Sequence, residues 1–493
     1  MPNRKLLLGL DIGTSACKAA LYTTDGELVA LAYSPLGVDR PRPGWVEQAP
    51  AAIWLATCDA IGEVLARALA RPDEVVSVCA VGHSPTLILL DNRGEPCRPA
   101  IVWQDTRAGA EARELAATLG DDLADLLGGR FPVNPSFMPG RLLWLRRNEP
   151  SVLARAAKAL EPKDYVHWRL TGECVSDSWS AKGLANLRTG EFVGAWRELL
   201  GIEAGLVPTI ARPFDRIGGV SAAAGAALGL LAGTPVAAGW TDGLSCLLGS
   251  GVYTGGDLGF LSTGTSDVLG VVVDGAPRGD ARLLEVPLAG DRRIVMGPTQ
   301  TAGGSLTWLA DRFFGGNAAE ALTAAAEAKP GARGLIFLPY LEGERAPIWD
   351  ERARGVLFGL STDHGLPEIA RAVLEGVAAS DRQVLETVEE STGVKIKRIR
   401  VTGSGGRGLW GQIRASFLGR NLETTSEQPG TLGAAMMAGV AAGVWPDLET
   451  VSAAVVRVAH VLAPDDKLVP VYDRVFATYS ELYPRLRSLW RAD

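Results

Sequence analysis

Residues 6–26 read LLLGLDIGTSACKAALYTTDG, an apolar run, a Gly13-Thr14-Ser15 turn and a second apolar run that ends in Asp-Gly. Residues 257–275 read DLGFLSTGTSDVLGVVVDG and repeat that order around Gly264-Thr265-Ser266. The two turns lie 264 − 13 = 251 positions apart in a chain of 493 residues. A tight turn of glycine and hydroxyl residues presents backbone N–H groups in a concave nest, which suits phosphate oxygens. The duplication therefore predicts two related domains that grip one polyphosphate.

Length and charge restrict the classes of protein that fit. A chain of 493 residues exceeds the ~250–300 residues at which a single core stops growing, so two domains are expected. The net charge of −7 argues against nucleic acid or an anionic membrane as partner. The first apolar run, residues 6–10, is too short for a signal peptide. We expect no membrane span in this sequence. We therefore expect a cytoplasmic protein.

The cysteine and histidine pattern indicates no structural metal. The six cysteines form no Cys-x-x-Cys pair, and the four histidines have no ligand-like spacing. We interpret the cysteines as reduced core residues, because Cys17, Cys79 and Cys246 lie within apolar runs. Cys17 is not expected to be a nucleophile, since no histidine lies near it in sequence to activate it. A structural zinc site is not expected.

The domain boundary is predicted near the middle of the chain. Residues 234–251 read TPVAAGWTDGLSCLLGSG, the pattern of a strand, a polar turn and a helix of small residues. We place the boundary there and predict an N-terminal domain over 1–245 and a C-terminal domain over 246–493. Both halves alternate apolar strand-like runs with helical periodicity, which indicates an α/β fold.

Charged residues near these turns are candidates for chemistry. Asp11 ends the first apolar run, where its carboxylate suits a metal-bound water or a turn cap. Asp242 lies where a strand meets a helix, so it could accept a proton from a hydroxyl that attacks phosphorus. A helix N-cap is the alternative role for Asp242. Lys18 lies five residues beyond Gly13 and either reaches phosphate or is solvated.

A polar cluster follows two further strand-like runs of the N-terminal half. His83 and Ser84 follow the apolar run 75–82, and Trp103 and Asp105 close the predicted strand 100–105. An indole face beside a carboxylate suits a polyol. We therefore expect a sugar site here, with structural roles as the alternative for each residue.

The segment GSGGRG (403–408) supports a rival hypothesis. It matches G-x-G-x-x-G after a strand-like run and before a helical one, with Glu423 fifteen residues beyond its last glycine. That context is typical of dinucleotide binding and keeps a dehydrogenase as an alternative. The motif nevertheless lies near the C-terminus and leaves the paired Gly-Thr-Ser turns without a role. A Walker A sequence is absent.

Five segments together resemble the FGGY family of carbohydrate kinases, most of all its xylulokinase group, over about residues 5–445. They are the two Gly-Thr-Ser segments, GWTDG (239–243), YLEGERAPIWD (340–350) and VTGSGGRGLWGQIRASFLGRNL (401–422). The resemblance implies two actin-like (ribonuclease H-like) α/β domains flanking a deep cleft. It also implies that the N-terminal domain binds the sugar and the C-terminal domain the nucleotide.

The resemblance further implies ATP-dependent phosphorylation of a sugar or polyol hydroxyl with Mg²⁺, by an enzyme that could form a homodimer. Asp242 would be the general base and contact the substrate, and Asp11 would orient the metal through water. The other implied ATP contacts are Gly13, Thr14, Ser15, Lys18, Gly264, Thr265, Gly303, Gly405 and Gly406. The other implied substrate contacts are His83, Ser84, Trp103 and Asp105.

The chain departs from the family pattern at two places. Xylulokinases usually carry Gln-Met-His-Gly where this chain has residues 83–86, His-Ser-Pro-Thr, so their substrate histidine falls on Pro85. A ketopentose such as xylulose, another ketose and a polyol all stay open as substrates. The adenosine segment is one residue shorter than usual between its glycines and Trp410. A nucleotide-gated protein of the same fold without kinase activity is the non-enzymatic alternative.

Overall fold

The computed structural model describes residues 4–120, 122–129, 133–275, 279–288, 291–425 and 428–490. The chain divides into two compact units. The first comprises Met1–Tyr253 and Glu427–Val456, and the second comprises Thr254–Ser426 and Arg457–Asp493. The chain thus returns to the first unit for one late segment. The domain bounds of 1–245 and 246–493 stay a prediction.

The strands of the first unit are β1 (Leu6–Ile12), β2 (Ala16–Thr23), β3 (Leu28–Pro35), β4 (Glu47–Gln48), β5 (Val75–Gly82), β6 (Ile88–Leu90), β7 (Ala100–Ile101), β8 (Lys158–Leu160), β9 (Val175–Asp177), β10 (Thr209–Ala211), β11 (Arg216–Gly219) and β12 (Pro235–Ala237). The strands of the second unit are β13 (Leu258–Thr263), β14 (Asp267–Asp274), β15 (Leu284–Pro287), β16 (Arg292–Pro298), β17 (Ile336–Leu338), β18 (Val356–Phe358), β19 (Arg398–Thr402), β20 (Asn421–Thr424) and β21 (His460–Leu462). The predicted strand 100–105 is wrong beyond Ile101, because a turn follows β7 there.

The helices in chain order are α1 (Pro50–Ala68), α2 (Gly109–Leu119), α3 (Asp122–Leu127), α4 (Met138–Asn148), α5 (Pro150–Arg155), α6 (Pro162–Thr171), α7 (Trp196–Leu200), α8 (Ala222–Leu228), α9 (Asp242–Gly249), α10 (Gly303–Phe313), α11 (Ala318–Glu327), α12 (Leu366–Thr392), α13 (Gly408–Leu418), α14 (Pro429–Ala441), α15 (Leu448–Val455) and α16 (Val469–Leu486). Of the helices that the structure describes, none is long and apolar enough to cross a membrane.

The two units contain sheets of the same design. In the first unit the strand order is β11-β12-β5-β1-β2-β3, and in the second it is β15-β16-β14-β13-β19-β20-β21. β1 pairs antiparallel with β2 and parallel with β5, just as β13 pairs antiparallel with β14 and parallel with β19. Each Gly-Thr-Ser turn joins the central strand to its antiparallel neighbour. The predicted mixed α/β duplication is therefore confirmed at the level of the sheets.

The central strand of the first sheet is buried along its whole length, as its continuous apolar run predicts. Every residue of β1 is buried, and β1 lies between β2 and β5. A parallel pairing covered on both faces favours such unbroken apolar strands. Helix α1 packs on β2 and β3 through apolar residues at helical spacing, among them Ile53, Ile61 and Val64.

Helix α14 packs against the first sheet at unusually short range. A Cβ on Gly9 of β1 would lie 2.1 Å from the carbonyl oxygen of Thr431, and one on Gly433 would lie 2.1 Å from that of Ser245. Only glycine fits at either contact. The small residues of α14 thus bring this helix close to both β1 and α9, with its first turn beside Asp11.

Candidate active site

The first turn, residues 13–15, presents backbone donors at the end of β1. The amide of Gly13 donates to the carbonyl of Ala16 (3.0 Å), which closes the turn. Within the described residues, the amides of Thr14 and Ser15 have no protein acceptor. Both residues are at least partly exposed. The turn therefore offers two adjacent N–H groups to an external anion, as the sequence predicts.

Asp11 and Lys18 form an ion pair beside this turn. Lys18 Nζ lies 3.3 Å from Asp11 Oδ2, across the antiparallel register of β1 and β2. Asp11 is 8% exposed, and burial raises its pKa even though Lys18 opposes the shift. A Cβ on Gly430, in the first turn of α14, would lie 3.1 Å from Asp11 Oδ2. The carboxylate therefore faces a helix N-terminus, whose dipole favours negative charge.

Asp242 begins α9 and lies in the electrostatic range of Asp11. The amide of Gly243 donates to Asp242 Oδ1 (2.7 Å). Burial, followed by the charge of Asp11, raises the pKa of Asp242 to about 6. A carboxylate tuned in this way can accept a proton near neutral pH. The structure thus brings Asp242 within electrostatic range of Asp11 and Lys18, from which it is separated by more than 200 positions in sequence.

The segment 83–86 leads to two residues that the sequence reasoning missed. Ser84 Oγ donates to Glu161 Oε1 (3.0 Å) and accepts from Lys182 Nζ (2.6 Å). The Thr86 amide donates to Glu161 Oε2 (3.0 Å). The charge of Asp242 acts on Lys182, so both new residues belong to the same polar site. Glu161 directly follows β8, a strand-end position that could have identified it, whereas Lys182 lies in an aperiodic loop.

His83 is an internal residue of this cluster. It is 3% exposed, and its Nδ1 pairs with the hydroxyl of Thr86 at 2.9 Å. Burial, and then the charge of Arg141, lower the pKa of His83 to about 4. The ring is therefore neutral at physiological pH. Its Nε2 has no hydrogen-bond partner within the described residues. A substrate contact by His83 stays a prediction.

Trp103 and Asp105 have different environments, although the sequence paired them. The Trp103 ring is 44% exposed, and its Nε1 donates to the hydroxyl of Thr14 (3.0 Å), which links the polar cluster to the first turn. Asp105 is 1% exposed. Its oxygens accept from the amide of Val46 (2.6 Å) and from the Arg107 guanidinium (2.7 Å). These contacts favour a structural role for Asp105, and a substrate contact by Asp105 stays a prediction.

The second turn, residues 264–266, repeats the donor arrangement of the first. The Gly264 amide points at Asp267 Oδ1 (3.4 Å), while the amides of Thr265 and Ser266 lack a protein acceptor among the described residues. Gly303 begins α10, and its amide donates to the Gly264 carbonyl (3.0 Å). A Cβ on Gly303 would lie 2.3 Å from that carbonyl oxygen. Gly303 therefore supports the turn by close packing.

A buried ion pair underlies the second turn. Arg414 Nη2 lies 2.5 Å from Asp267 Oδ2, and neither side chain is exposed. Asp381 lies 3.5 Å from the same guanidinium. Burial raises the pKa of both carboxylic acids, most strongly that of Asp381. Asp267 thus fixes the turn from below by a contact that sequence spacing alone does not indicate.

The glycines of the segment 403–408 serve the backbone of the second unit. The Gly405 amide donates to Thr263 Oγ1 (3.0 Å). A Cβ on Gly405 would lie 2.7 Å from Arg414 Nη1, and one on Gly406 would lie 2.5 Å from Val401 Cγ1. This close approach brings the turn of residues 404–406, which precedes α13, against β13 and β19. Direct adenosine contact by Gly405 and Gly406 stays a prediction.

The carboxylates of the site suit Mg²⁺ only together with a ligand that supplies further oxygen atoms. No group of three or more His, Cys, Asp and Glu side chains in the described ranges could hold a metal alone. Asp11 and Asp242 nevertheless interact as two carboxylates with raised pKa values. Mg²⁺ is typically bound through one or two carboxylates, waters and substrate phosphates. The residues present therefore fit a metal that arrives with a phosphate ligand.

Comparisons with known proteins agree with this architecture. The N-terminal domain of the FGGY family of carbohydrate kinases matches residues 6–249, and its C-terminal domain matches residues 259–442. The xylulose kinase of Bacillus subtilis (strain 168) is 30% identical over 98% of this chain and 98% of its own length. The chain belongs to the FGGY family of carbohydrate kinases.

Solved structures extend the likeness to the whole fold. The crystal structure of xylulose kinase from Rhodospirillum rubrum has a TM-score of 0.88 and 30% identity, over 99% of this chain and 100% of that one. The crystal structure of gluconate kinase from Lactobacillus acidophilus has a TM-score of 0.88 and 28% identity, over 99% of each chain. The expected actin-like fold and sugar-kinase class are thereby confirmed. The dehydrogenase alternative is not supported, since family membership accounts for the segment 403–408.

Proposed function

We propose that the enzyme transfers the γ-phosphoryl group of ATP to a hydroxyl of a sugar or polyol, a ketopentose such as xylulose or a related sugar. Asp242 is the general base. The acceptor oxygen bonds to the γ-phosphorus, the bond from that phosphorus to the β–γ bridging oxygen breaks, and Asp242 takes the hydroxyl proton. The observation that carries this assignment is the environment of Asp242, where burial and Asp11 raise the pKa to about 6.

The two turns are the proposed phosphate contacts. Thr14 and Ser15 in the first unit, and Thr265 and Ser266 in the second, present backbone amides that have no acceptor among the described residues. Lys18 adds positive charge to the first turn. Donors fixed before the reaction stabilise charge that develops on transferred phosphoryl oxygens, at little reorganisation cost. These amides and Lys18 would act electrostatically on the phosphate, whereas Asp242 would remove the proton.

Asp11 is the proposed metal residue, acting through water, with Asp242 nearby. Mg²⁺, when bound, would neutralise phosphate charge. Asp11 is suited to holding such an ion because it is almost fully buried and lies opposite the N-terminal turn of α14. Lys18 neutralises part of its charge when no ligand is present.

Trp103 and Ser84 are the proposed sugar contacts from the predicted set. The indole of Trp103 is partly exposed and anchored to Thr14, so its face is held in place for an apolar sugar surface. Ser84 is partly exposed and carries the bridge between Lys182 and Glu161.

The test is a coupled assay of ADP release with purified protein, ATP and Mg²⁺. A panel of ketopentoses, aldonates and polyols should contain at least one compound that raises ADP release well above the sugar-free rate. An ATPase rate that no member of a broad panel stimulates would instead favour the nucleotide-gated alternative.

A further inference from the structure

Lys182 is a charged residue of the sugar site with incomplete contacts. It lies in the loop after β9 and is partly exposed. Its Nζ donates to Ser84 Oγ (2.6 Å) and to the carbonyl of Trp179 (3.2 Å). An ammonium carries three donors. Lys182 Nζ also lies 5.3 Å from the centroid of the Trp179 ring. Across the described ranges, Lys182 has no third hydrogen-bond acceptor and no carboxylate in an ion pair with it.

Lys163, in the same unit, is a buried lysine whose hydrogen-bond and ion-pair partners all come from the protein. Its side chain is 1% exposed and lies 2.5 Å from Asp164 and 3.1 Å from Asp177. The carbonyl of Ala238 accepts the third bond at 3.2 Å. Asp177, the carboxylate nearest to Lys182 in sequence, is thus already paired. The contrast indicates that the missing partner of Lys182 is not supplied by the fold.

The carboxyl group nearest to Lys182 contacts it only indirectly. Glu161 is 3% exposed and reaches Lys182 through the hydroxyl of Ser84. Burial raises the pKa of Glu161, so this group tends to hold its proton and offers little compensating charge. Burial likewise lowers the pKa of Lys182, although the charges of Glu161, Asp177 and Asp242 oppose the shift. A ligand that brings its own negative charge would relieve this cost.

A second cation lies behind the same segment. Arg141 is 1% exposed, and its guanidinium donates only to neutral carbonyls, those of Pro85 (3.0 Å), Ile101 (3.2 Å) and Val102 (2.8 Å). The ring of His83, on which the charge of Arg141 acts, is neutral. The wall made by residues 83–86, 141, 161 and 182 therefore combines two cations, neither of them in an ion pair within the described residues, with the buried carboxyl group of Glu161. The charges of Asp105 and Asp242 act on Arg141 and Lys182, respectively, from outside this wall. Such a wall suits an anionic group better than a row of hydroxyls.

We propose that Lys182 determines the substrate class by binding the carboxylate of a sugar acid, so that the enzyme phosphorylates aldonates in preference to neutral ketoses and polyols. This inference rests on the proposed function, because it takes the acceptor hydroxyl to lie beside Asp242. The carboxylate accepts the third N–H of Lys182 and pairs with its charge. The hydroxyl at the far end of the acid is then the one presented to the base.

The first test measures binding without catalysis. Isothermal titration of the wild-type protein with D-gluconate, D-xylonate, D-xylulose and xylitol, in the absence of ATP, should give the tightest binding for an aldonate. Lys182→Met should weaken that binding about 10- to 150-fold, the range for a hydrogen bond to a charged group. Lys158→Met is the matched control, because Lys158 Nζ donates to a single loop carbonyl, that of Gly205 (2.8 Å). The control should bind like the wild type.

The second test uses the coupled assay on the same panel. The wild type should have its highest kcat/KM with an aldonate. Lys182→Met should lower this value at least 10-fold more than the value for the best neutral sugar, and Lys182→Arg should restore part of the aldonate activity.

Circular dichroism checks that each variant is folded. The order of preference of the wild type among the sugars is measured without any variant. A wild type that prefers a neutral sugar in both tests overturns the role of Lys182 and leaves the kinase proposal intact. An aldonate that binds through Lys182 but is never phosphorylated, with no other sugar active, contradicts the proposed function instead.

Discussion

The indole Nε1 of Trp103 donates a hydrogen bond to the hydroxyl of Thr14 at 3.0 Å. This bond joins the polar cluster after β7 to the first turn, two features that the sequence separates by 89 residues. It gives the exposed tryptophan a fixed orientation. The contact also makes the conformation of the turn depend on the residue that we propose as the sugar platform.

Trp103→Phe and Thr14→Val should therefore show coupled effects. Each removes one partner of a single neutral hydrogen bond, so each should lower kcat/KM for ATP by about 2- to 10-fold, or ~0.5–1.5 kcal/mol. In the double variant the losses should not add, which a double-mutant cycle measures directly. Trp349→Phe removes a comparable indole bond to the carbonyl of Arg282 (2.9 Å) and serves as the control. Fully additive effects of the first pair would show that the bond does not connect the two features.

His83 should remain neutral through the physiological range. Burial lowers its pKa to about 4, against ~6.5 in an unfolded chain. Between about pH 4 and about pH 6.5 this histidine therefore binds more protons in the unfolded state than in the folded state. The free energy of unfolding should consequently decrease as the pH falls from about 6.5 towards 4. NMR of histidine-labelled protein, with assignment by His83→Gln among four histidines, should show no titration of its ring between pH 5 and 8. A midpoint near 6.5 would mean that the ring is open to solvent.

The ion pair beneath the second turn should be a main contributor to stability. Arg414→Met leaves Asp267 and Asp381 buried without their cation, and breaking such a pair typically costs ~3–5 kcal/mol. The melting temperature should fall by many degrees. Arg485→Met is the control, because the Arg485–Glu481 pair is exposed and such pairs contribute ~0–1 kcal/mol. Equal melting temperatures for the two variants would show that the buried pair is not required.

Gly303→Ala should impair nucleotide binding more than folding. The added Cβ would lie 2.3 Å from the Gly264 carbonyl oxygen and displace the second turn. We expect ATP affinity to fall at least 10-fold in a calorimetric titration. Gly365→Ala, in the same unit, is the control, because its added Cβ would make only ordinary contacts, at 3.5 Å or more. Unchanged affinity in Gly303→Ala would remove the second turn from the proposed phosphate site.

Much of the fold could be predicted from sequence because its signals are local. The continuous apolar run of β1 and the repeated Gly-Thr-Ser turn are read from a few adjacent residues. The short contacts of α14 with β1 and α9 are made at glycines, among them Gly9 and Gly433. The return of Glu427–Val456 to the first unit could not be predicted, because it depends on contacts between residues far apart in sequence, such as Ser245 and Gly430, 185 positions apart.

The sequence singles out candidate site residues where a regular element ends or begins. Asp11 lies at the end of β1 and Asp242 at the start of α9, and in the structure the charge of Asp11 acts on Asp242. Their catalytic roles stay predictions. Asp105 was singled out at the end of a predicted strand, and in the structure Arg107, two residues later, pairs with its carboxylate. Lys182 has no periodic context, and its position beside the segment 83–86 is visible only from its contact with Ser84, 98 positions away.

The most direct test of the account is the turnover of Asp242→Asn with the best sugar of the panel. Asparagine keeps the size of the side chain but cannot accept the hydroxyl proton, so kcat should fall ~10²–10⁴-fold. ATP affinity should stay within about 2-fold of the wild type, because the proposed phosphate donors are intact. Asp59→Asn, on the exposed face of α1, should have full activity. Turnover of Asp242→Asn close to the wild-type rate would contradict the assignment of Asp242 as the general base.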